Sequence, residues 1–98
     1  MDSTEQTRRE LARSIEDLRI AGTISPPGSA QRQFCIGMAK VFEEFSVTWN
    51  PSKANLVDCR RTVREIQRAV DEWRAGRITE VQRNQRLVFL HVKLLKKC

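Results

Sequence analysis

Six residues between Leu56 and Trp73 constrain this chain more than any others. Leu56, Cys59, Val63, Ile66, Val70 and Trp73 recur at spacings of 3, 4, 3, 4 and 3. An α-helix gathers such positions into one stripe, whereas a strand scatters them over both faces. The repeat is a heptad seam, so the segment has to bury that stripe against other helices. Asn50-Pro51 precedes the seam and Gly76 follows it. Asn caps a helix start, Pro tolerates the first helical position, and Gly ends a helix in the left-handed region. Together these signals predict a helix of about 24 residues, ~36 Å long at 1.5 Å per residue.

Three more segments have helical spacing. Ser3 and Gln6 have capping-box spacing, Leu11, Ile15 and Leu18 follow as a stripe, and Gly22 is placed as a left-handed stop. Pro26-Pro27-Gly28 then breaks the chain into a turn. Residues 29–46 bring Phe34, Met38, Val41, Phe42 and Phe45 to one face, widened by Cys35, Ile36 and Ala39. This most apolar helix is the predicted centre of the core, with Trp49 closing it. Gly37 weakens the helix by about 1 kcal/mol relative to Ala, which marks it as a candidate for a close helix crossing. The last segment opens on Thr79 and Gln82, a second capping box, and sets Val81, Val88, Val92 and Leu95 on a helical stripe. Val88, Leu90, Val92 and Leu94 also alternate as in a strand, but the cap favours a helix. The expectation is an all-α fold: a single helical domain over residues 1–98, with four helices, one of them long.

Ninety-eight residues support one modest core. No apolar stretch nears the ~20 residues of a spanning helix, and the first residues carry acidic side chains rather than an apolar run, so neither a membrane segment nor a secretory signal is expected. Three widely spaced cysteines, Cys35, Cys59 and Cys98, read as reduced thiols in a cytoplasmic, reducing setting. Catalytic chemistry is sparse. His91 is the one histidine and sits in an apolar run, where it reads as a packed structural residue. There is no tyrosine, no Gly-rich phosphate loop and no cysteine pair at metal spacing. Neither an enzyme, a cofactor, a metal site nor a small-molecule substrate is expected.

Charge is more informative. Eighteen basic against twelve acidic side chains leave a net charge of +6, and residues 51–98 hold all of that excess. On a helical projection of the third segment, Lys53, Arg60, Arg61, Arg64 and Arg68 fill an arc beside the seam, while Asp58, Glu65 and Glu72 fill a third. Arg61 with Glu65, and Arg68 with Glu72, have i,i+4 spacing and are expected to pair. Arg60, Arg64 and Arg68 stack at i, i+4 and i+8, where like charges repel by a few tenths of a kcal/mol each. A row that accepts this repulsion suits a polyanion, and Arg offers phosphate a planar fork of donors. Spanning ~22 Å from Lys53 to Arg68, it is long enough to follow a nucleic-acid backbone. No aromatics interleave the row, so duplex RNA or DNA is favoured over stacked single strands. The seam from Leu56 to Trp73 either pairs with a second copy, giving a helical-bundle homodimer that doubles the row, or packs inside one chain. A different function class stays open: a helical protein-interaction module that receives a partner helix on that seam or on the apolar run 87–95. Binding of anionic lipid by Lys93, Lys96 and Lys97 ranks below both.

Asn55-Leu56, then Cys59, then closely following basic residues resemble the RNA-contacting helix of the small dsRNA-binding silencing suppressors of nodaviruses. The likeness covers about 20 residues. It implies an all-helical dimer that grips A-form RNA through phosphate and 2′-hydroxyl contacts without sequence preference, and shields it from processing enzymes. Carried over residue by residue, Arg60, Arg64 and Arg68 would be contacts. Cys59 would face the duplex, in conflict with its place on the seam. The Pro26-Pro27 link and the apolar fourth segment have no counterpart in that pattern.

Overall fold

A computed structural model describes residues 3–52 and 54–98 of the chain. Four α-helices account for about four fifths of them: α1 Ser3–Thr23, α2 Ala30–Thr48, α3 Leu56–Arg74 and α4 Glu80–Lys97. There is no strand among the described residues, so the 87–95 run is helical.

Side-chain pairs give the directions of the helices. Arg19 pairs with Glu43, and Arg8 donates to the Ser46 carbonyl, so α1 and α2 are antiparallel. Glu65 faces Lys93 and Glu72 faces Arg86, so α3 and α4 are antiparallel as well. Ser14 donates to Gln67, and Arg74 pairs with Asp17, which sets α1 and α3 side by side in the same direction. Around the bundle the order is α1, α2, α4, α3, and the α2–α4 side is the most sparsely packed. The link from α2 to α3 therefore crosses a diagonal. Trp49, at the end of α2, anchors that link: it is buried beneath the Arg8 guanidinium, which also donates to its carbonyl.

The core draws on all four helices. Leu11, Ile15 and Leu18 of α1 meet Cys35, Met38 and Phe42 of α2, Val63, Ile66 and Val70 of α3, and Leu87, Leu90 and Leu94 of α4. Removing apolar area from water at roughly 25 cal/mol per Å² makes this the main source of stability. The seam is thus consumed within one chain. Cys59, Val63, Ile66 and Val70 are fully buried, Trp73 packs against the core, and Leu56 is half-buried at the helix start. The middle of the stripe therefore leaves no surface for a second copy or a partner helix, and only its ends, Leu56 and Trp73, are partly exposed.

Five other expectations need correction. First, α3 starts at Leu56, not at Asn50-Pro51; at 19 residues it equals α2 and is shorter than α1. Asn55 stands at its N-cap but makes no capping bond; its amide instead donates to the Lys97 carbonyl. Second, Val81, Val88, Val92 and Leu95 are exposed. The buried stripe of α4 is Arg83, Leu87, Leu90 and Leu94, displaced because a buried arginine takes an inward position. Third, the close helix approach is at Gly22, where an added Cβ would lie 2.6 Å from Ile36 Cγ1; at Gly37 it would meet nothing within 4 Å. Fourth, Gly22 is helical rather than a left-handed stop, and positive φ occurs at Gly28 and Gly76. Fifth, Cys59 and Cys98 form a disulfide, leaving Cys35 free and buried. The antiparallel α3–α4 pair brings residues 39 apart in sequence to a Cα separation of 6.0 Å. Cys98 accordingly packs against the core rather than hanging free in solvent. The expectation of a reducing compartment loses the support it drew from unpaired thiols. Among the described residues no helix is long and apolar enough to cross a membrane.

Candidate nucleic-acid interface

The seam of α3 points inward, so its opposite side faces solvent, flanked by α1 on one edge and α4 on the other. Arg61, Arg64 and Arg68 are exposed on this outer side, and Arg60 is half-buried at the α1 edge. With Val57 and Glu65, these four arginines line one groove of about 370 Å³. Lys53 lies outside the described residues.

The arginines differ in their partners. Arg64 Nε lies 3.5 Å from Glu10 Oε2 of α1 and keeps 59% of its side-chain surface exposed. Arg60 turns its Nε inward without a hydrogen-bond partner. Arg61 and Arg68 have no ion pair or side-chain hydrogen bond among the described residues. The i,i+4 pairing expected for them does not occur. Glu65 faces Lys93 Nζ at 3.8 Å and Glu72 accepts from Arg86, so both carboxylates turn across the helix boundary to α4. The hydrogen bond from Arg86 is the main reason the Glu72 carboxyl is held below its ordinary pKa, with the charges of Arg86, Arg68 and Arg77 adding to it. Asp58, on the same helix, accepts the Thr62 hydroxyl at its backbone carbonyl.

On the outer face the exposed guanidinium groups without an ion pair are therefore those of Arg61 and Arg68, with Arg64 loosely held. Sequence spacing on α3 alone could not find this. The residues that decide it, Arg86 and Lys93, lie on another helix, and only their i+3 or i+4 pattern relative to the buried stripe Leu87, Leu90 and Leu94 hints that they flank α3. Phe89 was also missed. It is 66% exposed and shares a small cavity with Arg68 and Arg86, which puts one aromatic ring beside the basic row. His91 is half-buried with its ring edge-on to Phe42, 6.0 Å between centroids. No cluster of three or more metal-ligating side chains occurs among the described residues.

The chain matches no protein-family model, no curated protein and no solved structure.

Proposed function

We propose that this chain binds duplex nucleic acid without sequence preference, double-stranded RNA ahead of DNA, through the outer face of α3. One observation carries the reading. Arg61 and Arg68 stay open to solvent although each has a carboxylate one turn away on its own helix, because α4 engages those carboxylates. Guanidinium groups that make no ion pair with the carboxylates of their own rigid helix suit phosphate oxygens. The preference for RNA rests on the resemblance at Asn55-Leu56 and the basic residues that follow, and so does the further step that bound RNA escapes silencing enzymes in the cytoplasm; Cys59, which that likeness would turn toward the duplex, is instead buried and bridged to Cys98. A homodimer belongs to this reading as well, since two copies would double the basic face. The residues open for such pairing are Val81, Val88, Val92 and Leu95 of α4, not the α3 seam.

Filter binding of a mixed-sequence RNA duplex tests the reading, comparing wild type with Arg61→Glu/Arg68→Glu. Both side chains are exposed, so the fold should survive, as circular dichroism would verify. Wild-type affinity should fall steeply with salt as condensed counterions are released, and the double variant should lose most binding. Equal affinity in the two proteins would remove the outer face of α3 as the site.

The exposed apolar residues of α4 favour a second reading. A run of Val88, Phe89, Val92 and Leu95 left in solvent suits a partner helix. A protein partner retained through nuclease treatment and lost with Val88→Lys/Val92→Lys, together with no retardation of any duplex, would select it.

A further inference from the structure

The chain has thirteen arginines. Most are engaged: Arg8 by backbone carbonyls and the Trp49 ring, Arg32 by the Ser25 carbonyl, and Arg9, Arg19, Arg64, Arg74, Arg83 and Arg86 by carboxylates. Five have no side-chain hydrogen bond or ion pair among the described residues: Arg13, Arg60, Arg61, Arg68 and Arg77. They are not scattered. All five line two adjoining grooves that share Arg64 and Arg68. One is the α3 groove described above. The other, about 570 Å³, runs between α1 and α3, with Arg13 at one wall and Arg77 at its end beyond α3.

Although the exposed Glu16 also lies within one turn of it, Arg13 is kept from its other helical carboxylates by the same device that keeps Arg61 and Arg68 open. Its i+4 carboxylate, Asp17, is taken by Arg74 and by the Gln67 amide. Its i−3 carboxylate, Glu10, faces Arg64. Arg77 is three residues before Glu80, which faces Arg83 instead. The backbone at Arg77 is also fixed, while its side chain is exposed. Its amide donates to the Glu72 carbonyl and that of Gly76 to the Trp73 carbonyl, with Gly76 at φ 76°, which is a Schellman stop. Of the carboxylates lining this second groove, Glu72 accepts from Arg86, Asp71 accepts from the neutral Gln67 amide, and Glu10 lies 3.5 Å from Arg64 with its Oε2 making no hydrogen bond, so the four arginines of the lining outnumber three acidic groups.

We propose that Arg13 and Arg77 complete a two-track polyanion site, in which one phosphate strand of a duplex runs along Arg60 and Arg61, the other over the α1–α3 groove between Arg13 and Arg77, and Arg64 and Arg68 form the ridge between them. This rests on the duplex-binding reading and extends it beyond α3 to two arginines that no helical spacing connects to the row.

The test measures the salt dependence of affinity for a mixed-sequence RNA duplex with wild type, Arg13→Ala/Arg77→Ala, and Lys40→Ala. Lys40 is an exposed α2 cation, outside both grooves, and serves as a control for charge removed elsewhere. If each arginine holds one phosphate, the double variant flattens the slope of log affinity against log salt by about 2 and weakens binding roughly 25- to 60-fold at 0.1 M salt. Lys40→Ala should match wild type, and Arg13→Lys/Arg77→Lys should recover most of the slope. A double variant no different from Lys40→Ala overturns the second track while Arg61→Glu/Arg68→Glu still abolishes binding. Failure of wild type to bind any duplex overturns the functional reading itself, and this extension with it.

Discussion

Glu72 of α3 takes its hydrogen bond from Arg86 of α4, not from Arg68 one turn earlier on its own helix. That choice ties α3 to α4 and leaves Arg68 open. It also makes the contribution of the pair depend on pH. The carboxyl is held below its ordinary pKa, so the pair stabilises the fold fully above the usual carboxylate range and is lost as pH falls through the lowered value. Arg86→Met removes the donor and keeps much of the stem. The gap in urea midpoint between wild type and Arg86→Met should be widest near neutral pH and close in acid. A gap that does not change with pH would mean that Arg86 acts through packing alone.

Gly22 and Gly37 should respond to alanine with opposite signs. At Gly37 the new methyl group meets open space, so Gly37→Ala gains helix propensity of about 1 kcal/mol. At Gly22 the methyl collides with Ile36 Cγ1, part of a β-branched side chain stiff at χ1 on a helix. Overpacking of this kind costs about 1–3 kcal/mol, which offsets the propensity gain. Thermal melts should show Gly37→Ala raised by ~4–8 °C and Gly22→Ala unchanged or lowered. Equal rises would show that α1 and α2 do not approach closely at Gly22.

Much of this architecture was legible in the sequence, and apart from two local signals the chain does not use, the Asn50-Pro51 start and the Gly22 stop, the failures share a cause. The seam of α3, the Thr79 capping box and the Gly76 stop are local patterns, and each forms as its spacing implies. What could not be read depends on residues far apart in the chain. The spacing of Val81, Val88, Val92 and Leu95 reads as the α4 stripe, but Arg83 packs inward against Trp73 and Phe34 and takes Leu87, Leu90 and Leu94 with it. The Cys59–Cys98 bridge needs the antiparallel register of two helices, and the same register draws Glu65 and Glu72 away from Arg61 and Arg68. For the site, spacing located Arg61, Arg64 and Arg68 on one outer face. It also brought Arg60 into the same groove, at the α1 edge, and gave no connection from that row to Arg13 or Arg77 in the adjoining groove.

Arg83 tests how a buried cation is tolerated. Its side chain is wholly excluded from solvent, with the guanidinium carbon 4.2 Å from the centroid of the Trp73 ring and 5.4 Å from that of Phe34. Nε and Nη2 donate to Asn84 Oδ1, Glu80 is 3.8 Å away, and Nη1 has no partner. Much of its value is therefore the flat surface it offers two rings. Arg83→Ala leaves a cavity between three helices and should cost about 3 kcal/mol. Arg83→Met keeps the stem, removes an orphan donor and should stay within about 1 kcal/mol of wild type. A methionine variant as damaged as the alanine variant would show that the charge, rather than the packing, is needed.

The cysteines predict a definite pattern of thiol titration. With Cys59 and Cys98 bridged and Cys35 fully buried, the native protein should react with no aromatic disulfide reagent on the timescale of mixing. Burial raises the Cys35 thiol pKa, more than the nearby Arg83 charge lowers it, which further suppresses the reactive thiolate. Denaturant alone should expose one thiol, and denaturant with reductant should expose all three. Loop closure across residues 59–98 contributes about 4 kcal/mol in the chain-entropy account, so Cys98→Ser should lower the urea midpoint by a corresponding amount. The loss should fray the end of α4 first, because the bridge and the Asn55 amide are what hold Lys97 and Cys98 to the start of α3. Hydrogen exchange would then speed up at residues 94–98 before the core amides of α1 change. Three thiols titrating in denaturant without reductant would mean that the bridge does not form, and that α4 is held to α3 by packing and by the Glu65 and Glu72 pairs.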